Sequence, residues 1–221
     1  MVNLFERLAD TRNPASFAAA LRRRRHALFA GLLARVPRPL AILDVGGTAA
    51  FWRSAPLDLE GVSIAILNLA HEETGDPRLT SLVGDARDLG RFGDGAVDVV
   101  YSNSVIEHVG AFADQRRMAE EIRRVGKRYF VQTPNMDFPI EPHFLFPGFQ
   151  FMPLELRTFL HRRFRLGWFE RQPDLVQARR DVAAIRLLRE DEFRSFFPGA
   201  TLYRERFLGL TKSFIAYHGW P

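Results

Sequence analysis

Ala41-Ile42-Leu43-Asp44-Val45-Gly46-Gly47-Thr48-Ala49 is an apolar run that stops at a pair of glycines. Ala41 to Val45 reads as a buried strand, and Gly46-Gly47 as the tight turn that leaves it. In an open parallel sheet the ligand crevice lies beyond the strand C-termini, where the strand order reverses. A glycine there lets the backbone approach a ligand and take a positive φ. Taken alone, the run also fits an ordinary strand-to-helix turn.

The surrounding chain extends the pattern. Val62–Leu67, Leu79–Val83, Val97–Tyr101 and Arg128–Gln132 read as four further strands, the last ending at Thr133-Pro134. Helical periodicity lies between several of them, notably over 112–125. Strands alternating with helices predict an α/β fold, with helices on both faces of a mostly parallel sheet. Upstream, Asn13-Pro14 reads as a cap and first helical residue of a helix running to about Ala34. Phe17, Leu21, Leu28 and Leu32 share one side of it, with Arg22 to Arg25 mostly on the other; Pro37 and Pro39 then break the chain.

Residues 138–189 interrupt the rhythm. They are crowded with aromatics, from Phe138 to Phe169, and four prolines make their first part irregular. The segment reads as an insertion, a lid capping the active edge of the sheet. A short helix over Asp191–Phe197 and two strands, Thr201–Leu208 and Lys212–Tyr217, close the chain as an antiparallel edge. The expected organisation is one domain: a helical segment 1–40, a cofactor-binding core 41–137, the lid 138–189, and a closing unit 190–221.

Composition narrows the function classes. The chain has 221 residues, 47% hydrophobic, enough for a core. It has no cysteine, which excludes a disulfide framework, a thiolate nucleophile and a cysteine zinc site. No apolar run is long enough to span a bilayer and no leader is visible, so a cytoplasmic location is expected. The net charge of +5 is uneven. Residues 1–40 hold eight arginines against two acids, 41–150 ten basic residues against sixteen acids, and 151–189 nine arginines against four acids. Basic flanks of this kind suit phosphates, an anionic substrate or a lipid surface, and equally suit solvated helix faces.

Three features follow the glycine turn in order. Asn68-Leu69 ends the second strand, where a polar side chain can hydrogen-bond ribose hydroxyls. Gly84-Asp85-Ala86 follows the third strand, and a carboxylate there can accept from an exocyclic amino group. Ser102-Asn103 closes the fourth. Each has a local structural reading as a turn or cap, but their order is not explained that way. A nicotinamide site would need Gly-x-Gly-x-x-Gly, and Gly46-Gly47 has no third glycine after it.

The run Ile42–Phe51, with Gly84-Asp85-Ala86 and Val97-Asp-Val-Val-Tyr-Ser-Asn-Ser-Val-Ile-Glu-His-Val109, resembles the class I S-adenosylmethionine-dependent methyltransferases, in their broad type 11 branch. The resemblance covers about 40–135, and the ending Glu205–Tyr217 is similar to that family's last two strands. It implies a Rossmann-like three-layer sandwich with a seven-stranded sheet and one antiparallel strand. It also implies S-adenosyl-L-methionine as cofactor, with Asp44 and Gly46 near the methionine moiety, Asn68 on the ribose, and Asp85 with Ala86 at the adenine. The candidate cofactor residues are therefore Asp44, Gly46, Gly47, Thr48, Asn68, Leu69, Asp85, Ala86, Ser102 and Asn103. Two departures stand out: Thr48 and Ala50 replace later glycines of the family loop, and Asn68 replaces an acid.

Methyl transfer from a sulfonium needs an aligned acceptor and excluded water, and a base only for a weakly acidic proton. Glu107, His108 and His143 are the candidate catalytic residues. Metal-assisted members carry Glu-x-x-Glu-His after the fourth strand; this chain reads Ser104-Val-Ile-Glu-His108, lacking one carboxylate, so no metal is expected. The aromatic, arginine-rich lid favours a small-molecule or lipid-like acceptor, methylated on oxygen. Nucleic acid or protein is the less favoured acceptor class, peripheral membrane contact is compatible with the basic flanks, and the oligomeric state is left open. A non-catalytic protein that kept the fold is the remaining alternative.

Overall fold

The computed structural model describes residues 16–221. The expected cap at Asn13-Pro14 lies outside the described residues. The first helix, α1 (Phe17–Leu33), is capped by Ser16, whose Oγ accepts from the Ala19 N–H at 3.0 Å. After it come β1 (Leu40–Val45), α2 (Ala49–Ser54), β2 (Val62–Asn68), β3 (Leu79–Val83), β4 (Val99–Asn103), α3 (Phe112–Val125) and β5 (Tyr129–Pro134). The second half holds α4 (Leu154–Arg163), α5 (Leu175–Ala183), α6 (Glu190–Phe196), β6 (Thr201–Phe207) and β7 (Leu210–His218).

The seven strands form one sheet in the order β3-β2-β1-β4-β5-β7-β6. The first five are parallel, and β7 runs antiparallel to both β5 and β6. The expected seven-stranded sheet with one reversed strand is therefore what forms. The fourth strand starts later than its apolar run: Val97 makes only an isolated bridge to Gly126, and the ladder with β1 begins at Val99. Between them, the Asp98 carboxylate turns aside to the Ala41 N–H and to Lys127.

Side-chain alternation along the strands feeds two cores. Ile42, Ile64, Tyr101 and Phe130 face α1 and α2, where they meet Phe29, Leu33 and Trp52. Leu43, Val45, Val100 and Val131 face α3 and α6, where they meet Met118, Ile122 and Phe193. Helix α3 buries Gln115, Met118, Ala119, Ile122 and Val125, the spacing of one helical face. These are the three layers.

Helix α1 departs from the expected division of faces. Arg25 turns inward and is only 12% exposed. It lies four residues from the buried Leu21 and so on the same stripe. Its guanidinium donates to both Glu205 oxygens, to Asn103 Oδ1 and to Gln132 Oε1, tying the helix to the ends of β4 and β5 and to β6.

The segment 138–189 leaves the sheet after β5 and returns beside it. Asn135 bridges Leu188, the Met136 N–H donates to the Leu188 carbonyl, and the Arg186 N–H donates to the Glu107 carbonyl. Its helices α4 and α5 enclose a small core of Phe144, Phe149, Leu166 and Val182. Phe144 stacks on Phe149 at 4.4 Å and on Phe169 at 4.5 Å. No helix among the described residues is long and apolar enough to cross a membrane.

Phe29 is the anchor of α1: its ring meets Tyr101, Phe130, Trp52 and Trp220 at 4.8 to 6.4 Å. Phe29→Ala is expected to cost about 3–5 kcal/mol in urea unfolding, with Leu28→Ala on the half-buried side costing less.

Candidate active site

The crevice opens at the C-terminal ends of β1, β2 and β4. A cavity of about 330 Å³ there is lined by Gly46, Asn68, Leu69, Asp85, Ala86 and His108, among others. Five of the ten predicted cofactor residues thus share one wall system with a predicted catalytic histidine.

Each wall has a local cause. Gly46 takes φ +82, and a Cβ on it would stand 2.5 Å from both Val105 methyl groups, so only glycine fits the turn. The Asn68 Nδ2 donates to the Gly47 carbonyl at 2.8 Å, fastening the end of β2 to the glycine turn. The Asp85 carboxylate is gripped by the Arg87 guanidinium, 2.6 Å at its shortest, which holds it below the usual carboxylate range. Arg87, which also lines the cavity, has no signal in the sequence beyond its charge.

The other predicted residues stand behind the wall. Thr48 caps α2, accepting from the Phe51 N–H at 3.3 Å. Gly47 packs directly on the Asp44 carboxylate, which leaves no room for a Cβ. The Ser102 hydroxyl donates to the Val45 carbonyl at 3.0 Å, which joins β4 to β1. Asn103 is occupied by Arg25. Asp44 is fully buried: its Oδ2 accepts from the Trp52 indole at 2.6 Å and its Oδ1 has no partner. Burial, opposed by the Trp52 hydrogen bond and assisted by Glu72, raises it to about 7.

A second cluster lies against the same cavity. Glu107 and His108 form a single 3-10 turn after β4, and His143 comes from the loop after β5. His143 Nε2 lies 3.1 Å from His108 Nε2, with the rings edge to face. On its other side His143 Nδ1 donates to Glu141 Oε1 at 2.7 Å, and Glu141 Oε2 accepts from the backbone N–H of His143 and of Phe144. Burial pulls His143 down, but the hydrogen bond and charge of Glu141, with Glu107 behind, raise it above the ordinary histidine range. His108 keeps part of its surface open to the crevice; desolvation of the rest of its ring and the charge of His143 lower it to about 4. Glu107 is fully buried and pushed up to about 7; its Oε2 accepts from the Thr133 hydroxyl at 3.1 Å and its Oε1 is unpaired.

The arrangement is a carboxylate–imidazole–imidazole chain ending at the cavity. Nδ1–H of His143 is fixed by Glu141, so the two Nε2 atoms share a proton between them. Donor atoms of Glu107, His108 and His143 also lie within 4.8 Å of one another, a spacing that a divalent cation can bridge with three protein ligands. The sequence pointed to all three without the geometry; the orienting role of Glu141 is visible only in the structure.

The fold and these walls define a nucleotide-cofactor site of the doubly wound class. Comparison carries this further. Residues 43–129 match the methyltransferase-domain family. An uncharacterised protein of Mycobacterium tuberculosis is 31% identical over 143 residues, 59% of this chain and 48% of that one. The chain spans about half the length of the curated relatives it matches. A chain of the complex between the Haloferax volcanii Trm112 methyltransferase activator and a proposed methyltransferase superposes with a TM-score of 0.52 at 17% identity, over 98% of this chain and 97% of that one. Haemonchus contortus phosphoethanolamine N-methyltransferase 2, in complex with phosphomonomethylethanolamine and S-adenosylhomocysteine, superposes at 0.50 and 13% identity, over 82% of this chain and 38% of that one. These structures show a shared fold. Residues 43–129 thus carry a methyltransferase domain, on the fold that the S-adenosylmethionine-dependent methyltransferases share.

Its residues fit that cofactor. The unpaired Asp44 Oδ1 beneath the glycine turn is an acceptor awaiting a donor, as the ammonium of a methionine moiety would supply. Gly46, Asn68 and Asp85 line one cavity of about 330 Å³ beside it.

Asp44 and Glu107 make stability depend on pH. Both titrate near 7 when folded, against 3.8 and 4.5 as ordinary values. Between those limits the folded chain keeps protons that the unfolded chain releases, so stability falls as pH rises through this window and levels off above it. Asp44→Asn should flatten part of that fall and Glu107→Gln another part, read by urea unfolding at about pH 5 and about pH 8. Asp44→Asn should also weaken S-adenosylhomocysteine binding by roughly tenfold or more in calorimetry, as a charged hydrogen bond is lost.

Proposed function

We propose that the chain transfers a methyl group from S-adenosylmethionine to a hydroxyl oxygen of a small or lipid-like acceptor, with the His108–His143 pair accepting the displaced proton. The observation that carries this reading is the Glu141–His143–His108 chain ending at the cofactor cavity. When bound, the cofactor supplies an activated methyl on sulfonium. Gly46, Asn68 and Asp85 would hold its methionine, ribose and adenine parts, and Asp44 would receive the ammonium.

The rest is the work of the chain. A hydroxyl is a poor nucleophile until its proton is leaving, so a base within hydrogen-bond reach pays. His108 is neutral at pH 7 and stands at the cavity. A proton taken by His108 Nδ1 lets the proton shared between the two Nε2 atoms move onto His143, where Glu141 stabilises the imidazolium. The lid segment, rooted on both sides of this cluster, would exclude water from the reacting atoms.

Methyl-tritiated S-adenosylmethionine, incubated with the protein and an extract of small molecules, lipids, RNA and protein, tests the acceptor class. Label in the small-molecule or organic fraction is expected. Label confined to RNA or protein would overturn the reading, and no label with intact S-adenosylhomocysteine binding would indicate a non-catalytic protein. With an acceptor in hand, turnover should rise with pH as the histidine pair loses its proton. His108→Ala should lower kcat by on the order of a hundredfold. Glu141→Gln removes the group that raises His143, so the rising limb of the profile should move to lower pH while kcat falls.

A third expectation concerns the lid. Hydrogen exchange in 138–189 should slow on adding S-adenosylhomocysteine, together with exchange around Gly46 and Asp85; indifference of the whole segment would argue against its closing over the site.

A further inference from the structure

The outer surface of the α4–α5 hairpin is unlike the rest of the chain. Phe151, Leu156, Phe159, Phe164, Trp168, Leu175 and Val176 are each 44% to 58% exposed, seven large apolar side chains within 26 residues. Single exposed apolar residues are ordinary, but a concentration of them marks an interaction surface.

Phe151 and Leu156 lie at or just before the start of α4, and the other five belong to its far end, the loop and the start of α5. The far part of the loop folds back on α4: the Gln172 N–H donates to the His161 carbonyl at 3.1 Å, and Arg162 Nε donates to the Pro173 carbonyl at 3.0 Å. The end of α4 and the start of α5 are thereby held together, bringing Phe159 and Phe164 to the same tip as Leu175 and Val176. Within the loop, Leu166 and Phe169 exchange backbone hydrogen bonds across a turn. Their side chains pack inward on the lid's own core, and between them Gly167 takes φ +52 and Trp168 is left outside. The Trp168 ring is half exposed, while its backbone N–H donates to the His143 carbonyl at 3.3 Å.

The charge around these side chains says what covers them. Residues 151–189 carry nine arginines against four acids. At the tip Arg165 is paired with Glu170 and Asp174 caps α5, whereas Arg163 lies over the Phe159 ring at 5.7 Å and Arg162 and Arg171 donate to backbone carbonyls, the three without an ion-pair partner among the described residues. A second copy of so basic a tip would be repelled. A protruding tip of Phe, Trp, Leu and Val offers no cleft for bases to stack in. Aromatic side chains flanked by arginines match the boundary of an anionic bilayer, where rings enter the headgroup level and guanidinium groups meet lipid phosphates.

We propose that the tip of the α4–α5 hairpin docks this protein on anionic membrane surfaces, with Phe164 and Trp168 inserted and Arg162, Arg163 and Arg171 on lipid phosphates. The proposal is independent of which acceptor is methylated. It puts the membrane one hydrogen bond from the backbone of His143, a position suited to an acceptor that lives in the bilayer.

Sedimentation of the full chain with vesicles tests this, using phosphatidylcholine alone and phosphatidylcholine with roughly a third phosphatidylglycerol. Binding to the anionic vesicles is expected, weakened by salt, with a blue shift of tryptophan emission and quenching by brominated lipid. Trp52 is buried and Trp220 donates to the Tyr129 carbonyl, so the lipid-dependent signal belongs to Trp168 and should vanish in Trp168→Phe. Arg162→Gln and Arg163→Gln should each weaken partitioning roughly fivefold. Phe164→Ser/Trp168→Ser should abolish insertion while S-adenosylhomocysteine binding and the melting temperature, which report folding, stay unchanged. Failure to sediment with anionic vesicles at low salt would overturn the proposal. So would equal binding by the double variant, or a vesicle-free dimer in light scattering that the double variant dissolves.

Discussion

Five parallel strands whose connections lie on opposite faces of the sheet leave an opening where the order turns, between β1 and its neighbours β2 and β4. That opening is the constraint on which the site depends. Every strand C-terminus there must be closed by something that does not fill the crevice. The glycine turn after β1, the Asn68 amide after β2, and the 3-10 turn after β4 are three answers to that one problem. The turn at Gly46 sits against Val105, so the first and third are built against each other.

The same edge concentrates charge in places that stability alone would not choose. Asp44 and Glu107 are fully buried, and each keeps one carboxylate oxygen unpaired. An unpaired buried acceptor costs about 1–3 kcal/mol. Asp44 lies at the end of β1 beneath the glycine turn and Glu107 in the 3-10 turn beside the histidine cluster, which is where a site that binds charged groups has to carry that cost. By contrast, Arg25 and Glu205 are buried with all their neighbours matched: Asn103, Gln132 and Ser213 complete the network. That network fixes α1, while Asp44 and Glu107 each keep an unpaired oxygen behind the crevice wall.

The lid reconciles two demands. It must be attached closely enough to set His143, and it must carry its own core to hold a shape. The stacked Phe149, Phe144 and Phe169 provide the core. Glu141 links the two, accepting from the backbone at the start of the lid while orienting the imidazole. What the small core cannot cover remains outside, on the hairpin tip.

The linear order of residues determined the alternation of strands and helices, and hence the parallel sheet, because hydrophobic period and glycine turns are local properties. It also determined the crevice wall, since Gly46, Asn68 and Asp85 each stand at or just after the end of a strand whose direction is set by the fold class. Only the tertiary structure decided which polar residues act together. Glu141, His143 and His108 are separated by up to 35 positions, and their hydrogen bonds depend on where the loop after β5 returns to the turn after β4. Arg25 read as a solvent-facing charge became a buried one for the same reason: its partners lie on strands 78 to 180 residues away. Ser102 and Asn103 were found at the predicted edge but turned to β1 and to Arg25, because hydrogen-bond direction at a strand end is set by neighbours across the sheet and not by sequence order.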